Sequence, residues 1–348
     1  MSGELVVVGD VLLDVDVHGR VDRLCPDAPA PVLDVERELA RPGGAGLAAV
    51  LAGTGRRAVL VTALADDAAG YRLQLLLGGS VELVAGPAAG GTCVKTRFRV
   101  DGRSLLRADH GSGRPASGFA AASGAAVRRA LAGAAAVLVS DYGRGVTGLP
   151  VVRKAVAAAV RRGVPVVWDP HPSGSDPVPG VTVVTPNLAE AHRVAGPAPE
   201  PSAAGAAAVP SRRTAPSMRR ECRSELPGAA GGAPAEAALA AALARQWAVG
   251  TVAVTLGARG AVVAEADGRW SSAPVGEPAE GDPCGAGDAF AAHLTAALAA
   301  GTPLHDAVAA AVVAASGFVA GGGAGALRFA GAGWEHPALS TATGVAVG

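Results

Sequence analysis

Residues 136–170 read AVLVSDYGRGVTGLPVVRKAVAAAVRRGVPVVWDP, and this stretch decides the fold class. The mostly apolar run Ala136–Ser140 predicts a buried strand, residues 148–162 predict a helix, and Val164–Trp168 predicts a second strand. A strand that is followed by a helix and then by another strand is the crossover unit of a parallel sheet. The stretch therefore indicates parallel strands that are covered by helices.

The same alternation extends toward both ends of the chain. The other predicted elements are strands at Leu5–Val8, Ala58–Ala63, Val181–Thr185, 251–255 and 261–265, and helices at 43–55, from about 187, at 236–249 and at 286–300. Such alternation predicts an α/β fold of three layers, with a mainly parallel central sheet and helices on both faces. Binding sites in sheets of this kind lie at the carboxyl ends of the strands.

Two segments predict a small accessory β-sheet outside the main layer. In Thr92–Val100 charged and apolar side chains alternate toward the end, which suits a sheet with one solvated face. Asp101-Gly102 is a hairpin turn signal. Residues 17–40 are irregular to strand-like and contain several prolines. We expect this sheet, from about 11–42 and 90–110, to act as a lid.

The remaining segments set the predicted domain limits. Residues 1–330 are expected to form one large α/β domain, a size that such folds often reach. Residues 197–235 are rich in Pro, Ala, Gly, Ser and Arg and hold almost no large apolar side chain, which predicts a mobile surface insertion. Residues 331–348 are predicted to be a tail.

Composition gives little reason to expect certain classes of partner. Lys and Arg together number 30, as do Asp and Glu, so the formal net charge is zero and gives no electrostatic reason to expect nucleic acid or an anionic membrane as partner. No two of the four cysteines have CxxC spacing, which argues against a zinc site and suits the reduced cytoplasm. We see neither a signal peptide nor an apolar run of about 18 residues or more, and we expect a cytoplasmic protein.

The sharpest functional signal is Asp282-Pro-Cys-Gly-Ala-Gly-Asp288, which opens a predicted helix. The small residues Gly285, Ala286 and Gly287 let the backbone approach a ligand closely, and the N–H groups and positive dipole end of the helix favour a phosphate there. A carboxylate at Asp288 can accept the proton of an attacking hydroxyl. The alternative is that Asp288 merely caps the helix.

Two motifs carry a family resemblance. DPCGAGDAFAA (282–292) resembles the C-terminal signature of the ribokinase (PfkB) family of carbohydrate kinases, commonly D-T-x-G-A-G-D-x-F. RPGGAGLAAVLAGTG (41–55) resembles the glycine motif near the N-terminus of that family. The resemblance covers residues 5 to about 320 apart from the insertion. It implies a ribokinase-like fold, ATP as phosphoryl donor, Mg²⁺ as cofactor and a small-molecule sugar or sugar phosphate as acceptor.

Further stretches are most similar to the heptose-phosphate kinases of that family. They are GDVLLD (9–14), RLCPDAPAPVLDVE (23–36), RPGG (41–44), KTRFRVDGRSLLRAD (95–109), SDYGRG (140–145) and TPNLAEA (185–191). This implies phosphorylation of the anomeric hydroxyl of a heptose 7-phosphate, giving the 1,7-bisphosphate on the route to ADP-heptose. A separate nucleotidyltransferase is expected to act next, because bifunctional relatives carry that domain after the kinase. The family's accessory sheet often forms a dimer contact, so a homodimer is expected.

The resemblance also assigns the acceptor side of the site. Asp288 becomes the catalytic base, and Asp14 with the Gly43-Gly44 turn binds sugar hydroxyls, with Asp10 as a second candidate. A solvated strand end is the alternative for both Asp14 and Asp10. Cations that could hold the phosphate of a phosphorylated sugar are Arg107 and Arg144, and also Lys95, Arg97 and Arg99. A solvated strand face or an exposed loop is the alternative for these cations.

The nucleotide side rests on two weaker motifs. Thr255, Gly257 and Gly260 match the family's T-x-G-x-x-G nucleotide turn, which alone is only a turn between two strands. Asn187 and Glu190 match its N-x-x-E motif and offer oxygens that would bind Mg²⁺ through water. The alternative for that pair is a helix N-cap with a capping-box glutamate.

Departures from the family pattern leave other functions open. Leu47 stands where an asparagine usually helps to bind sugar, Pro283-Cys284 replaces a pair of threonines or similar residues, and His171 stands where relatives often have lysine. The alternatives are a kinase for another sugar, sugar phosphate or nucleoside, and a non-catalytic regulator that binds a sugar or nucleotide. A dinucleotide-binding oxidoreductase is disfavoured, because no G-x-G-x-x-G follows the first strand.

Overall fold

The computed structural model describes residues 3–196, 233–330 and 333–340. The strands in these ranges are β1 (Glu4–Gly9), β2 (Val11–Leu24), β3 (Pro31–Gly44), β4 (Ala58–Leu64), β5 (Val81–Ala89), β6 (Val94–Val100), β7 (Arg103–His110), β8 (Arg114–Pro115), β9 (Ala134–Ser140), β10 (Val166–Asp169), β11 (Val183–Val184), β12 (Thr251–Thr255), β13 (Ala261–Glu265), β14 (Trp270–Ala273), β15 (Arg328–Ala330) and β16 (Gly333–Glu335). The α-helices are α1 (Ala45–Ala52), α2 (Ala68–Leu77), α3 (Phe119–Ala132), α4 (Pro150–Arg161), α5 (Leu188–Ala195), α6 (Ala235–Trp247), α7 (Ala286–Ala299), α8 (Leu304–Ala320) and α9 (Pro337–Ser340).

The central sheet has ten strands in the order β14-β13-β12-β11-β10-β9-β1-β4-β5-β8. The run from β12 to β5 is parallel throughout. The edge strands pair antiparallel: β13 pairs with β12 and β14 at one edge, and β8 pairs with β5 at the other. A mainly parallel sheet of this kind confirms the predicted fold class.

Helices cover both faces of the central sheet, as the burial of β1 requires. Leu5 and Val7 of β1 belong to a core that includes residues of α1, α7 and α8. Val6 and Val8 point to the opposite face and join a core with residues of α3, α4 and α6. Because Leu5–Val8 are all apolar, this strand must be packed on both faces, which gives the three predicted layers.

A second sheet of four strands, in the order β3-β2-β6-β7, is the accessory sheet. Strands β2 and β3 pair from Val11 opposite Gly44 to Leu24 opposite Pro31, so residues 17–40 are more regular than their prolines suggested. Prolines are tolerated because β3 is an edge strand and Pro31 is its first residue. Helices α2, α3 and α8 add to the predicted elements; α3 and α8 are rich in alanine, which fits any helix face and obscures the apolar period.

Several strand ends meet at one edge of the central sheet. Asp10 follows β1, Asp141 follows β9 and Asp169 ends β10, while α7 begins at the same edge. The predicted insertion at 197–235 lies outside the described residues up to 232, and much of the 331–348 tail also does. In the described part of the chain, no helix has both the length and the apolar character that crossing a membrane would take.

We predict that the core of the central sheet dominates stability. Leu138 of β9 is fully buried, so Leu138→Ala leaves a cavity and should lower the free energy of unfolding by about 2–5 kcal/mol. Leu75 of α2 is 58% exposed, and Leu75→Ala should change it by no more than about 0.5 kcal/mol. Urea unfolding followed by circular dichroism measures both, and equal losses would contradict this packing.

Candidate active site

The N-terminus of α7 has the geometry of an anion-binding turn. Gly285 has a φ of 83°, and a Cβ there would lie 2.8 Å from Leu47 Cδ2, so this position requires glycine. The N–H of Ala286 donates to the carbonyl of Pro283. Within the described residues, the N–H groups of Gly287 and Asp288 donate to no protein acceptor. Two donors at the positive end of the helix dipole are thus available to an anion.

Asp288 is a buried carboxylate in the first turn of α7, with 5% of the residue exposed. The hydroxyl of Tyr142 donates to both carboxylate oxygens, over 2.9 Å to Oδ1 and 2.8 Å to Oδ2. Burial raises the pKa of Asp288 to about 7, although the Tyr142 hydrogen bond and the charge of Lys95 oppose the rise. The N-cap of α7 is Gly285, so Asp288 does not occupy the capping position that was the alternative interpretation.

The loop that carries Tyr142 is fixed by Asp10. The buried carboxylate of Asp10 accepts hydrogen bonds from the backbone N–H groups of Tyr142, Arg144 and Val146, over 3.1, 2.8 and 3.0 Å. Burial raises the pKa of Asp10, and these N–H groups oppose the rise. The contacts observed for Asp10 are therefore to its own chain, whereas its predicted contact with a sugar stays a prediction.

Asp14 and the Gly43-Gly44 turn lie together, as the sequence predicts for a sugar site. A Cβ on Gly43 would overlap Asp14 Oδ2, and a Cβ on Gly44 would lie 3.2 Å from Tyr142 Cδ2. Asp14 Oδ1 accepts a 2.8 Å hydrogen bond from Arg97. The charge of Asp14 also contributes to the raised pKa of Asp288. Asp14 thus lies close enough to act on the proposed base.

An apolar cavity of about 340 Å³ adjoins the start of α7. Its walls bring together the predicted nucleotide turn and the helix N-terminus through Thr255, Gly257, Gly260 and Gly287, with Phe290 and Val312 among the apolar residues. A cavity of this size and character suits an aromatic ring system such as a nucleobase. The T-x-G-x-x-G turn therefore lies where a nucleotide could reach the anion-binding turn.

Asn187 and Glu190 form a reciprocal capping box at the start of α5. The N–H of Glu190 donates to Asn187 Oδ1 and the N–H of Asn187 donates to Glu190 Oε2, each over 2.9 Å. The structure therefore has the arrangement that was the alternative interpretation of this pair, and the metal role stays a prediction. A backbone β-bridge pairs Asn187 with Thr255, so the Asn187–Glu190 pair borders the predicted nucleotide turn.

Oxygen donors at this edge fit a magnesium ion that keeps most of its water. Burial raises the pKa of Glu190, which has one carboxylate oxygen outside the capping box. Among the described residues, no group of three or more His, Cys, Asp or Glu side chains is arranged to hold a metal ion. Mg²⁺ in kinases is usually bound by one or two carboxylates together with substrate phosphates, so the donor set suits it.

The predicted phosphate-binding cations differ in their surroundings. Arg107 is half exposed and forms an ion pair with Asp109 on the same strand. Arg144 lies in the Tyr142 loop, and its side chain donates to the carbonyl of Ser112 over 3.2 Å. Lys95 lies 5.4 Å above the centre of the Tyr142 ring. Lys95 thus lies beside Tyr142, which contacts Asp288, and its charge lowers the pKa of Asp288.

Two residues of this site were not singled out from the sequence. Tyr142 contacts Asp288, and desolvation together with the charge of Asp288 raises its pKa well above the usual value. Asp169 has a strongly raised pKa because of desolvation and the charges of Asp288 and Glu190. Both residues lie at or just after the carboxyl end of a parallel strand, which is the signal that could have identified them.

Comparison with known proteins finds similarity to a family of carbohydrate kinases. Residues 223–328 match the model described as pfkB family carbohydrate kinase. The Bifunctional protein HldE of Streptomyces coelicolor is 43% identical over 332 residues, which cover 94% of this chain and 62% of that protein. The protein of the same name from Caulobacter sp. strain K31 is 37% identical, covering 87% and 56%. The chain thus spans less than two thirds of the length of these curated relatives.

Solved structures have the same fold. A ribokinase of Arabidopsis thaliana complexed with ribose and ATP has a TM-score of 0.60 at 19% identity, covering 92% of this chain and 93% of its own. The tetrameric inhibited form of phosphofructokinase-2 from Escherichia coli has a TM-score of 0.64 at 15% identity, covering 92% and 95%. Together with the family match, these findings confirm the predicted resemblance and the predicted ribokinase-like fold.

The contact between Gly43 and Asp14 gives a test of the predicted sugar site. Because an added Cβ would displace the Asp14 carboxylate, Gly43→Ala should raise the KM for the sugar acceptor about tenfold or more and leave the KM for ATP unchanged. Gly118→Ala is the matched control, since a Cβ there meets no atom within 4 Å. Steady-state kinetics of both variants measure the effect, and an unchanged sugar KM in Gly43→Ala would remove Asp14 from the site.

Proposed function

We infer that this chain, whose residues 223–328 belong to the pfkB family of carbohydrate kinases, transfers the γ-phosphoryl group of ATP to a hydroxyl of a sugar phosphate. The observation that carries the proposal is the position of Asp288. Its carboxylate is buried, the adjacent Gly287 lines the apolar cavity that suits a nucleobase, and the charge of Asp14, which suits a sugar, acts on it. A base in that position can meet both substrates.

In the proposed reaction, Asp288 accepts the proton of the attacking sugar hydroxyl. A carboxylate with a pKa of about 7 is a stronger base than an ordinary aspartate and is still substantially ionised at neutral pH. The free N–H groups of Gly287 and Asp288 face the charge that develops on the transferring phosphoryl group. Base and anion donors are built into one helical turn, so their relative position is fixed before the substrates bind.

The nucleotide is proposed to lie over the Thr255–Gly260 turn with its base in the apolar cavity. Asn187 and Glu190, which border that turn, would hold Mg²⁺ through water, and the ion would offset the charge of the phosphates. The accessory sheet carries Asp14 and Lys95 toward the same site. Movement of that sheet toward the central sheet would exclude water and so limit the hydrolysis of ATP.

The proposed acceptor is a heptose 7-phosphate, phosphorylated at its anomeric hydroxyl to give the 1,7-bisphosphate. Support comes from the six stretches that resemble heptose-phosphate kinases and from the 43% identity to a Bifunctional protein HldE. Lys95, which lies over the Tyr142 ring, and Arg144, two residues after Tyr142, are cations that could hold the phosphate already on the sugar. We further propose a cytoplasmic homodimer whose product is used by a nucleotidyltransferase on the route to ADP-heptose.

A panel of acceptors tests this proposal. Initial rates are measured with ATP and D-glycero-D-manno-heptose 7-phosphate, fructose 6-phosphate, ribose, fructose or a nucleoside, and products are identified by mass spectrometry and ³¹P NMR. We expect kcat/KM to be at least about tenfold higher for the heptose phosphate, since the pocket must discriminate between similar sugars. Reactions without acceptor give the background of ATP hydrolysis.

Preferred turnover of another sugar would show that the proposed acceptor is wrong, while the proposed kinase activity would stand. Binding of sugar and ATP without transfer to any acceptor would instead favour a non-catalytic regulator.

A further inference from the structure

The hydroxyl of Tyr142 is the only protein donor to the Asp288 carboxylate among the described residues. Its oxygen is nearly equidistant from Oδ1 and Oδ2, at 2.9 and 2.8 Å. A donor shared between both oxygens restricts rotation of the carboxylate about its last bond. A hydrogen bond to a charged acceptor is also stronger than one to a neutral acceptor.

The Tyr142 ring is held in place from several sides. Its backbone N–H is fixed by Asp10, and Gly44 leaves room for the ring, since a Cβ there would lie 3.2 Å from Cδ2. His171 stacks on it with ring centres 6.5 Å apart, and Lys95 lies 5.4 Å above its centre. Contacts with Asp10, His171 and Lys95 therefore restrict where the phenol hydroxyl points.

We propose that Tyr142 is the positioning residue of Asp288: its phenol orients the carboxylate and favours the ionised form that accepts the proton. This inference rests on the proposed kinase function and adds a residue to it. The phenol stays protonated near neutral pH, because desolvation and the neighbouring Asp288 charge raise its pKa well above the usual value. Tyr142 therefore acts as a donor and not as a second base.

Other charges also face Asp288 and must be weighed against the phenol. Asp14 of β2 raises the pKa of Asp288, whereas Lys95 of β6 lowers it. The charge of Asp288 adds to desolvation in raising the pKa of Asp169 at the end of β10. Of the groups that favour the ionised carboxylate, only Tyr142 is bonded to it directly. Removing that one hydroxyl should therefore raise the pKa of Asp288, because burial is then less opposed.

The test is Tyr142→Phe, which removes the hydroxyl and keeps the ring. Protein labelled with ¹³C at the Asp carboxyl carbons is titrated by NMR, and Asp288→Asn identifies the resonance of Asp288. We expect a pKa of about 7 in the wild type, and a value about one unit higher in Tyr142→Phe. Tyr71→Phe is the matched control, because Tyr71 is the other tyrosine of the chain and is 64% exposed.

The NMR titration needs no sugar, so it separates this inference from the choice of acceptor. With the acceptor that the enzyme uses, the acid limb of the kcat/KM profile should move upward by the same amount in Tyr142→Phe and stay in place in Tyr71→Phe. Thermal unfolding verifies that both variants are folded. An unchanged Asp288 pKa in folded Tyr142→Phe, or a loss of activity equal at every pH, would reduce Tyr142 to a packing residue and overturn the proposal.

Discussion

The burial of one carboxylate at a helix N-terminus is the constraint on which this site depends. Asp288 loses most of its hydration in the first turn of α7, which raises its pKa to about 7. An unpaired charge there would be costly, so the fold supplies the Tyr142 hydroxyl and the positive end of the helix dipole. The result is a carboxylate that is basic enough to take a proton and still ionised at neutral pH.

Other parts of the fold serve that arrangement at a distance. The parallel strands end together, which brings Asp10 and the loop after β9 to the edge where α7 begins. Asp10 fixes the backbone of Tyr142, and glycine at positions 44 and 285 lets neighbouring groups approach without overlap. The accessory sheet then adds Asp14, whose charge acts on Asp288. Residues other than the base itself thus determine where the base lies.

The sequence predicted the layers and Asp288 because both depend on local patterns. Short apolar strands between helices can fold in few ways, and a small-residue turn before a helix has a direct chemical meaning. The contact between Tyr142 and Asp288 could not be predicted in this way, since 146 positions separate them and the contact depends on a loop held by Asp10. The residue types at Asn187 and Glu190 fit both a helix cap and a metal site, and only the three-dimensional structure reveals their reciprocal hydrogen bonds.

The central claim is that the ionised Asp288 carboxylate takes the proton during phosphoryl transfer, and Asp288→Asn tests it most directly. Asparagine keeps the size of the side chain and can still contact Tyr142, but it cannot act as the base. Transfer of the γ-phosphoryl group from labelled ATP should be followed in a single turnover, with ATP affinity measured by calorimetry on the same samples. The account predicts that transfer slows by at least about a hundredfold while ATP affinity is retained. Transfer at close to the wild-type rate would contradict it.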